Sequence, residues 1–245
     1  MPKDSNGQSH WSQKTNMSMD TRTNTQVSEL ASRNVRMMAG SVALEGDWCV
    51  PAGAVGIVLF AHGSGSSRHS PRNQAVARAL QESGTGTLLF DLLTRDEEAE
   101  DARTGELRFD IGLLARRLVA ATQWVARQPQ GEHLGLGYFG SSTGGAAALV
   151  AAAELGSVID AVVSRGGRPD LASDALTRVQ APTLLIVGGL DDLVLQLNEE
   201  ACEQLRCEKE LAVVPRATHL FEEPGALEEV ARLAAEWFRR HLKPR

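Results

Sequence analysis

From Val35 onward the chain repeats one pattern: a short apolar run, a turn-rich break, then a longer stretch with apolar residues at helical spacing. Val35–Met38 and Val42–Val50 read as two strands joined by a turn at Ala39–Gly40. Val55–Ala61 and Thr87–Asp91 are continuous apolar runs, the signature of strands covered on both faces. Leu134–Phe139, Ile159–Ser164, Thr183–Val187 and Leu211–Val214 extend the series. Helices are predicted over Pro71–Gln81, Ile111–Arg127, Thr143–Leu155, Val194–Leu205 and Ala226–His241. In the second of these, Leu114, Leu118, Ala121 and Val125 fall on one face. Strands alternating with helices imply parallel pairing through helical crossovers, so the expected class is α/β. Leu92–Leu107, with Asp96, Glu97, Glu98, Glu100 and Asp101, reads as the longest irregular segment.

The first 33 residues lack this pattern. Ser, Thr, Asn, Gln and Met dominate them, and such a composition cannot bury enough surface to offset its ordering entropy. Residues 1–33 are therefore expected to be a loose polar tail, and 34–245 one folded domain. The alternative for the tail is an arm that docks on a second subunit, which keeps a homodimer open.

Composition narrows the function classes. The net charge is −6, without a basic block, which argues against a nucleic-acid partner. No stretch approaches the roughly 20 apolar residues of a membrane span. Cys49, Cys202 and Cys207 are odd in number and do not form a metal-type ladder, so they fit reduced thiols in the cytoplasm. No metal constellation appears, and the Gly-rich loop after Ala61 lacks a P-loop lysine, so no cofactor is expected.

In α/β sheets the chemistry collects on loops at the carboxyl ends of the parallel strands. After Phe139 the chain reads Gly140-Ser141-Ser142-Thr143-Gly144-Gly145, which fits G-x-S-x-G in one register, with Ser142 at the centre. A serine on so tight a turn has strained backbone angles, and side chains two residues either side would collide. The following helix offers free N–H groups to a developing oxyanion. After Ala61 comes His62-Gly63-Ser64-Gly65-Ser66-Ser67. Here the N–H of Ser64, or alternatively of Gly63, joins that of Thr143 as a two-donor hole, while His62 is read as a structural hydrogen-bonding residue. An activated serine needs a base and an orienting acid. His219, on the loop after Leu211–Val214, is at a strand end on the required side, a position that His10, His69, His133 and His241 do not share. Asp191, after Gly188-Gly189, is the preferred acid, with Asp192 and Asp170 as alternatives.

HGSGSS, GYFGSSTGG, IVGGLDD and ATH, in that order, resemble the α/β-hydrolase superfamily, and within it the dienelactone-hydrolase-like branch, over about Val35 to the C-terminus. The resemblance implies an eight-stranded, mostly parallel sheet, a Ser142–Asp191–His219 triad and acyl-enzyme chemistry. Dienelactone hydrolases proper use a cysteine nucleophile. Serine at position 142 shifts the expectation to ordinary carboxylic esters, with thioester hydrolysis, acyl transfer or a non-catalytic ligand-binding module as alternatives.

The stretch from Ser142 to Asp191 is too short for a cap domain, which implies an open pocket for small or short-chain esters. The acidic segment 96–101 could form its rim. Arg68, Arg72, Arg165 and Arg168 lie on loops leaving the same sheet edge, where guanidiniums could hold an anionic group of the substrate. The alternative is that they pair with the acidic segment or with Asp170 and steady loops.

Overall fold

The computed structural model describes residues 32–245. Eight strands form one sheet in the order β1-β2-β4-β3-β5-β6-β7-β8. They are β1 (Arg33–Ala39), β2 (Val42–Cys49), β3 (Gly56–Ala61), β4 (Gly86–Phe90), β5 (Gly135–Ser141), β6 (Ala161–Arg165), β7 (Thr183–Gly188) and β8 (Lys209–Val214). The β1–β2 and β2–β4 pairs are antiparallel, and every pairing from β4 to β8 is parallel. The eight-stranded, mostly parallel α/β sheet anticipated from the sequence is thus present. Arg33, the last residue of the expected tail, already belongs to β1; the rest of that expectation falls almost wholly outside the described residues.

Helices cover both faces, because β3 to β7 are apolar on both sides. They are α1 (Pro71–Glu82), α2 (Arg95–Thr104), α3 (Ile111–Ala126), α4 (Thr143–Leu155), α5 (Asp192–Gln204) and α6 (Ala226–His241). On one face α3 and α4 close over Leu59, Leu88, Leu136, Tyr138 and Val162. On the other, α1 and α6 close over Val58, Phe60, Phe139, Val163 and Ile186. Tyr138, fully buried, meets Thr122 of α3 at 2.6 Å, and that burial pushes its phenol well above the usual range.

One element departs from the sequence reading. Most of Leu92–Leu107, expected to be irregular, is the helix α2. Its start is held by a reciprocal cap: Thr94 Oγ1 accepts from the Glu97 N–H, and Glu97 Oε2 accepts from the Thr94 N–H at 2.7 Å. Gly105, in the left-handed region at φ 70°, ends it. Charge then fastens α2 to its surroundings, through Arg117 to Glu97 at 2.7 Å and Arg108 to Asp101 at 2.6 Å. Between Ser142 and Asp191 lie α4, β6, β7 and a 3-10 segment over Pro169–Arg178 that packs on α4, and no inserted domain.

Candidate active site

Ser142 stands in the turn from β5 into α4 with φ 51° and ψ −122°. That region costs a non-glycine residue about 1–3 kcal/mol. Close packing around the turn sustains the strain. A Cβ on Gly140 would run into the Gly144 carbonyl, and one on Gly144 into the Ala61 carbonyl at the end of β3. The Ser142 N–H donates to the Arg165 carbonyl at 3.3 Å, and the Ser142 carbonyl accepts from the N–H groups of Gly145 and Arg168 at 3.0 and 3.1 Å. The serine is therefore pinned from β6 as well as from its own helix.

The His62–Ser67 loop after β3 lies directly against this turn. A Cβ on Gly63 would sit 3.0 Å from Ser142 Cβ, and Ser64 Oγ lies 3.2 Å from Thr143 Oγ1. The two proposed donors are thus neighbours. His62 is buried and bonded twice. The Leu92 N–H donates to its Nε2 at 3.0 Å, which leaves the ring proton on Nδ1, from where it donates to the Gly63 carbonyl at 3.0 Å. Burial pushes the His62 imidazole below its ordinary value, against the opposing pull of the Gly63 carbonyl and Asp91. A neutral ring of one tautomer suits the hydrogen-bonding role read from the sequence.

His219 and Asp191 come together across two loops. The Leu190 N–H donates to the Ala217 carbonyl at 2.9 Å and ties the loops to one another. His219 Nδ1 then donates to Asp191 Oδ2 at 2.6 Å. Asp192, one residue on, is exposed and opens α5, while Asp170 is engaged by Arg168. The His219 loop is itself strained on both sides, at Arg216 (φ 61°) and Phe221 (φ 55°). A Cβ on Gly166, just past β6, would lie 3.6 Å from His219 Cε1. His219 and Ser142 therefore pack against the same short segment, Arg165–Arg168.

The four arginines have different surroundings. Arg68 lies among Asp91, Glu45 at 3.0 Å and Asp47 at 3.6 Å. Arg168 forks onto Asp170 at 2.7 and 2.8 Å. Arg72 pairs with Glu222 at 3.0 Å. Arg165 is buried, and its Nε and Nη1 have no partner among the described residues. Burial, then the charge of Arg72, pushes its guanidinium down to about 10.

A cavity of about 320 Å³ opens beside the site, between the His62–Ser67 loop and Thr143 on one side and Leu92, Leu93, Glu98, Asp101, Ala102 and Arg108 on the other. Sequence reading placed the acidic segment near the site but not its helical form, although Thr94-x-x-Glu97 is a legible capping signal. Among the described residues no group of three or more His, Cys, Asp or Glu side chains could hold a metal ion. No helix there is long and apolar enough to cross a membrane.

The sheet order and the strained turn under Ser142 define the chain as an α/β hydrolase. Residues 45–243 match the dienelactone hydrolase family, and the chain belongs to that family. It is similar to the crystal structure of a dienelactone hydrolase from Anabaena variabilis, at 61% identity and a TM-score of 0.86, over 87% of this chain and 99% of that one. An esterase from Pyrococcus furiosus shares the fold at 19% identity and a TM-score of 0.68, over 86% and 92% of the two chains. Two Mycobacterium tuberculosis proteins, which carry the provisional name of phosphoribosyl transferase, are 56% identical over 213 residues. The match covers 87% of this chain but 47% of theirs, so the chain spans about half the length of these relatives.

Proposed function

We propose that the protein is a serine hydrolase that cleaves carboxylic esters of small substrates through an acyl-enzyme. The observation that carries this reading is the 2.6 Å bond from His219 to Asp191, with His219 packed on the same Arg165–Arg168 segment that holds the strained turn of Ser142. In the proposed sequence His219 Nε2 takes the Ser142 proton as Oγ attacks the ester carbonyl. The N–H groups of Ser64 and Thr143 hold the oxyanion, and His219 returns the proton to the leaving alcohol. Water activated by the same ring then releases the acid and frees Ser142. Asp191 keeps the ring proton on Nδ1 throughout and stabilises the imidazolium.

Acyl transfer to a hydroxyl or thiol would use the same groups, with water replaced in the second half. For the M. tuberculosis relatives we infer that the phosphoribosyl-transferring activity in their name belongs to the portion outside the match. The portion they share with this chain is 56% identical to it over 213 residues, and residues 45–243 of this chain match the dienelactone hydrolase family. The three free cysteines fit a cytoplasmic enzyme.

Pre-steady-state hydrolysis of p-nitrophenyl acetate tests the reading. The native enzyme is expected to show a burst or steady turnover, and Ser142→Ala to lose on the order of 10⁴-fold or more. Full activity in Ser142→Ala would remove Ser142 from the mechanism.

A further inference from the structure

The cavity beside the His62–Ser67 loop carries an uncompensated charge. Of its charged lining residues, Asp101 and Arg108 neutralise each other, through a 2.6 Å ion pair and a 2.9 Å bond from the Arg108 N–H to Asp101 Oδ1. Glu98, the third, is different. The guanidiniums nearest it are engaged elsewhere: Arg68 with Glu45, Asp47 and Asp91, and Arg95 with Glu45 at 3.7 Å. Among the described residues Glu98 has no ion-pair partner, yet it is half-buried in the cavity wall. Burial, with Asp91 next in size, pushes its carboxyl above the ordinary value, against the opposing pull of Arg68 and Arg95.

The cavity also has a defined place relative to the reaction. It is bounded by Ser64 and Thr143, the two proposed oxyanion donors, and by no residue of the Asp191 or His219 loops. The leaving alcohol must receive its proton from His219, so it lies on the His219 side of the tetrahedral carbon. On the proposed mechanism the acyl chain is directed away from His219, towards the side on which this cavity opens.

We propose that Glu98 makes the cavity an acyl pocket for cationic groups, so that the preferred substrates are esters of small acids bearing a positive charge. This rests on the ester-hydrolase reading above. A carboxylate-bearing acyl group would meet Glu98 as a like charge, whereas an ammonium group would meet an unpaired carboxylate beside apolar walls at Leu92, Leu93 and Leu114. Glu98 lies in the first turn of α2, whose cap is formed by Thr94 and Glu97, and its side chain makes no hydrogen bond or ion pair among the described residues, so it can be changed without unfolding the wall.

Three p-nitrophenyl esters of similar shape separate charge from size: those of 4-(trimethylammonio)butyrate, of its neutral isostere 5,5-dimethylhexanoate, and of glutarate. The native enzyme is expected to favour the cationic ester over the neutral one in kcat/KM and to disfavour the glutarate ester. Glu98→Gln should lower kcat/KM for the cationic ester about tenfold, leave the neutral ester within about twofold and raise the glutarate ester. Glu98→Lys should invert the order. A cationic-to-neutral ratio that stays the same in Glu98→Gln overturns the proposal. Binding of the unreactive 4-(trimethylammonio)butyramide, measured by calorimetry, keeps the two readings apart. If no ester is hydrolysed but this amide binds about tenfold more weakly to Glu98→Gln, the pocket stands and the hydrolase reading falls. If esters are hydrolysed but the amide binds both forms equally, the pocket assignment falls alone.

Discussion

Asp191 and Asp192 are adjacent and chemically identical, yet replacing each by asparagine should give outcomes about three orders of magnitude apart. Asp191 Oδ2 accepts the Nδ1 proton of His219 at 2.6 Å, while Asp192 is exposed at the start of α5. Two unit charges with centres about 4 Å apart interact by about 4 kcal/mol at an effective dielectric constant near 20. His219 is 38% exposed and Asp191 16%, so water screens part of that, leaving about 2–3 kcal/mol for the imidazolium formed in the transition state. Asparagine adds a second penalty. With its amide NH₂ turned to Nδ1, the ring proton moves to Nε2, where it cannot accept the Ser142 proton, at a cost of about 1–2 kcal/mol. The sum, about 4 kcal/mol, corresponds to about a 10³-fold loss of kcat. Asp192→Asn gives up only a favourable charge at a helix N-terminus, a few tenths of a kcal/mol of stability, and should keep activity within about twofold. Steady-state hydrolysis of p-nitrophenyl acetate, with circular dichroism to confirm folding, measures both. If Asp191→Asn retained a tenth of native activity, or Asp192→Asn fell as far, the assignment of the acid would be refuted.

Gly144→Ala should destabilise the fold by about 3 kcal/mol or more, because the new methyl group is driven into the Ala61 carbonyl at the end of β3; a thermal melt within a few degrees of native would contradict that packing. His62 gives stability a pH dependence of known sign. Its folded value lies below the ordinary 6.5, so as pH falls through about 6.5 the unfolded chain takes a proton that the native state refuses. Stability present above that pH is lost on acidification towards the folded value, and urea midpoints between pH 7.5 and 5 should fall less steeply in His62→Gln than in the native chain.

How far the fold was legible depended on what holds each element. The strands β3, β5 and β7 could be read because burial on both faces leaves unbroken apolar runs, and α4 because its Ala-rich stretch follows a glycine turn. The helix α2 escaped because hydrophobic periodicity does not build it. Its one buried residue is Asp101, and it is secured by a cap and by ion pairs to Arg108 and Arg117, whose positions a linear pattern does not reveal. In the proposed site, the strained turn at Ser142 was legible from the glycines around it, and the strand-end position of His219 from the strand order. Asp191 was preferred to Asp192 on the glycine pair before it, but its bond to His219 rests on the lacing of the Leu190 N–H to Ala217, which only the folded chain supplies. The arginines show the same limit. Their common sheet edge followed from the strand order, but Arg68 and Arg72 find their carboxylates on Asp91 and Glu222, which no local spacing brings near.

The end of β4 holds both ends of the His62–Ser67 loop: Leu92 through the His62 ring, and Asp91 through the backbone N–H of Arg68 at 2.8 Å. Gly65, Ser66 and Ser67 hang between those two anchors and line the cavity. The loop therefore separates two kinds of change. On the proposed mechanism, substitutions or insertions at its tip reshape what the acyl group touches while the Ser64 N–H keeps its place, whereas a change at Asp91, outside the loop, moves the proposed donor without altering a residue that lines the cavity. An engineer seeking new specificity would start at the tip, and one seeking to silence the enzyme while preserving its pocket would start at the end of β4.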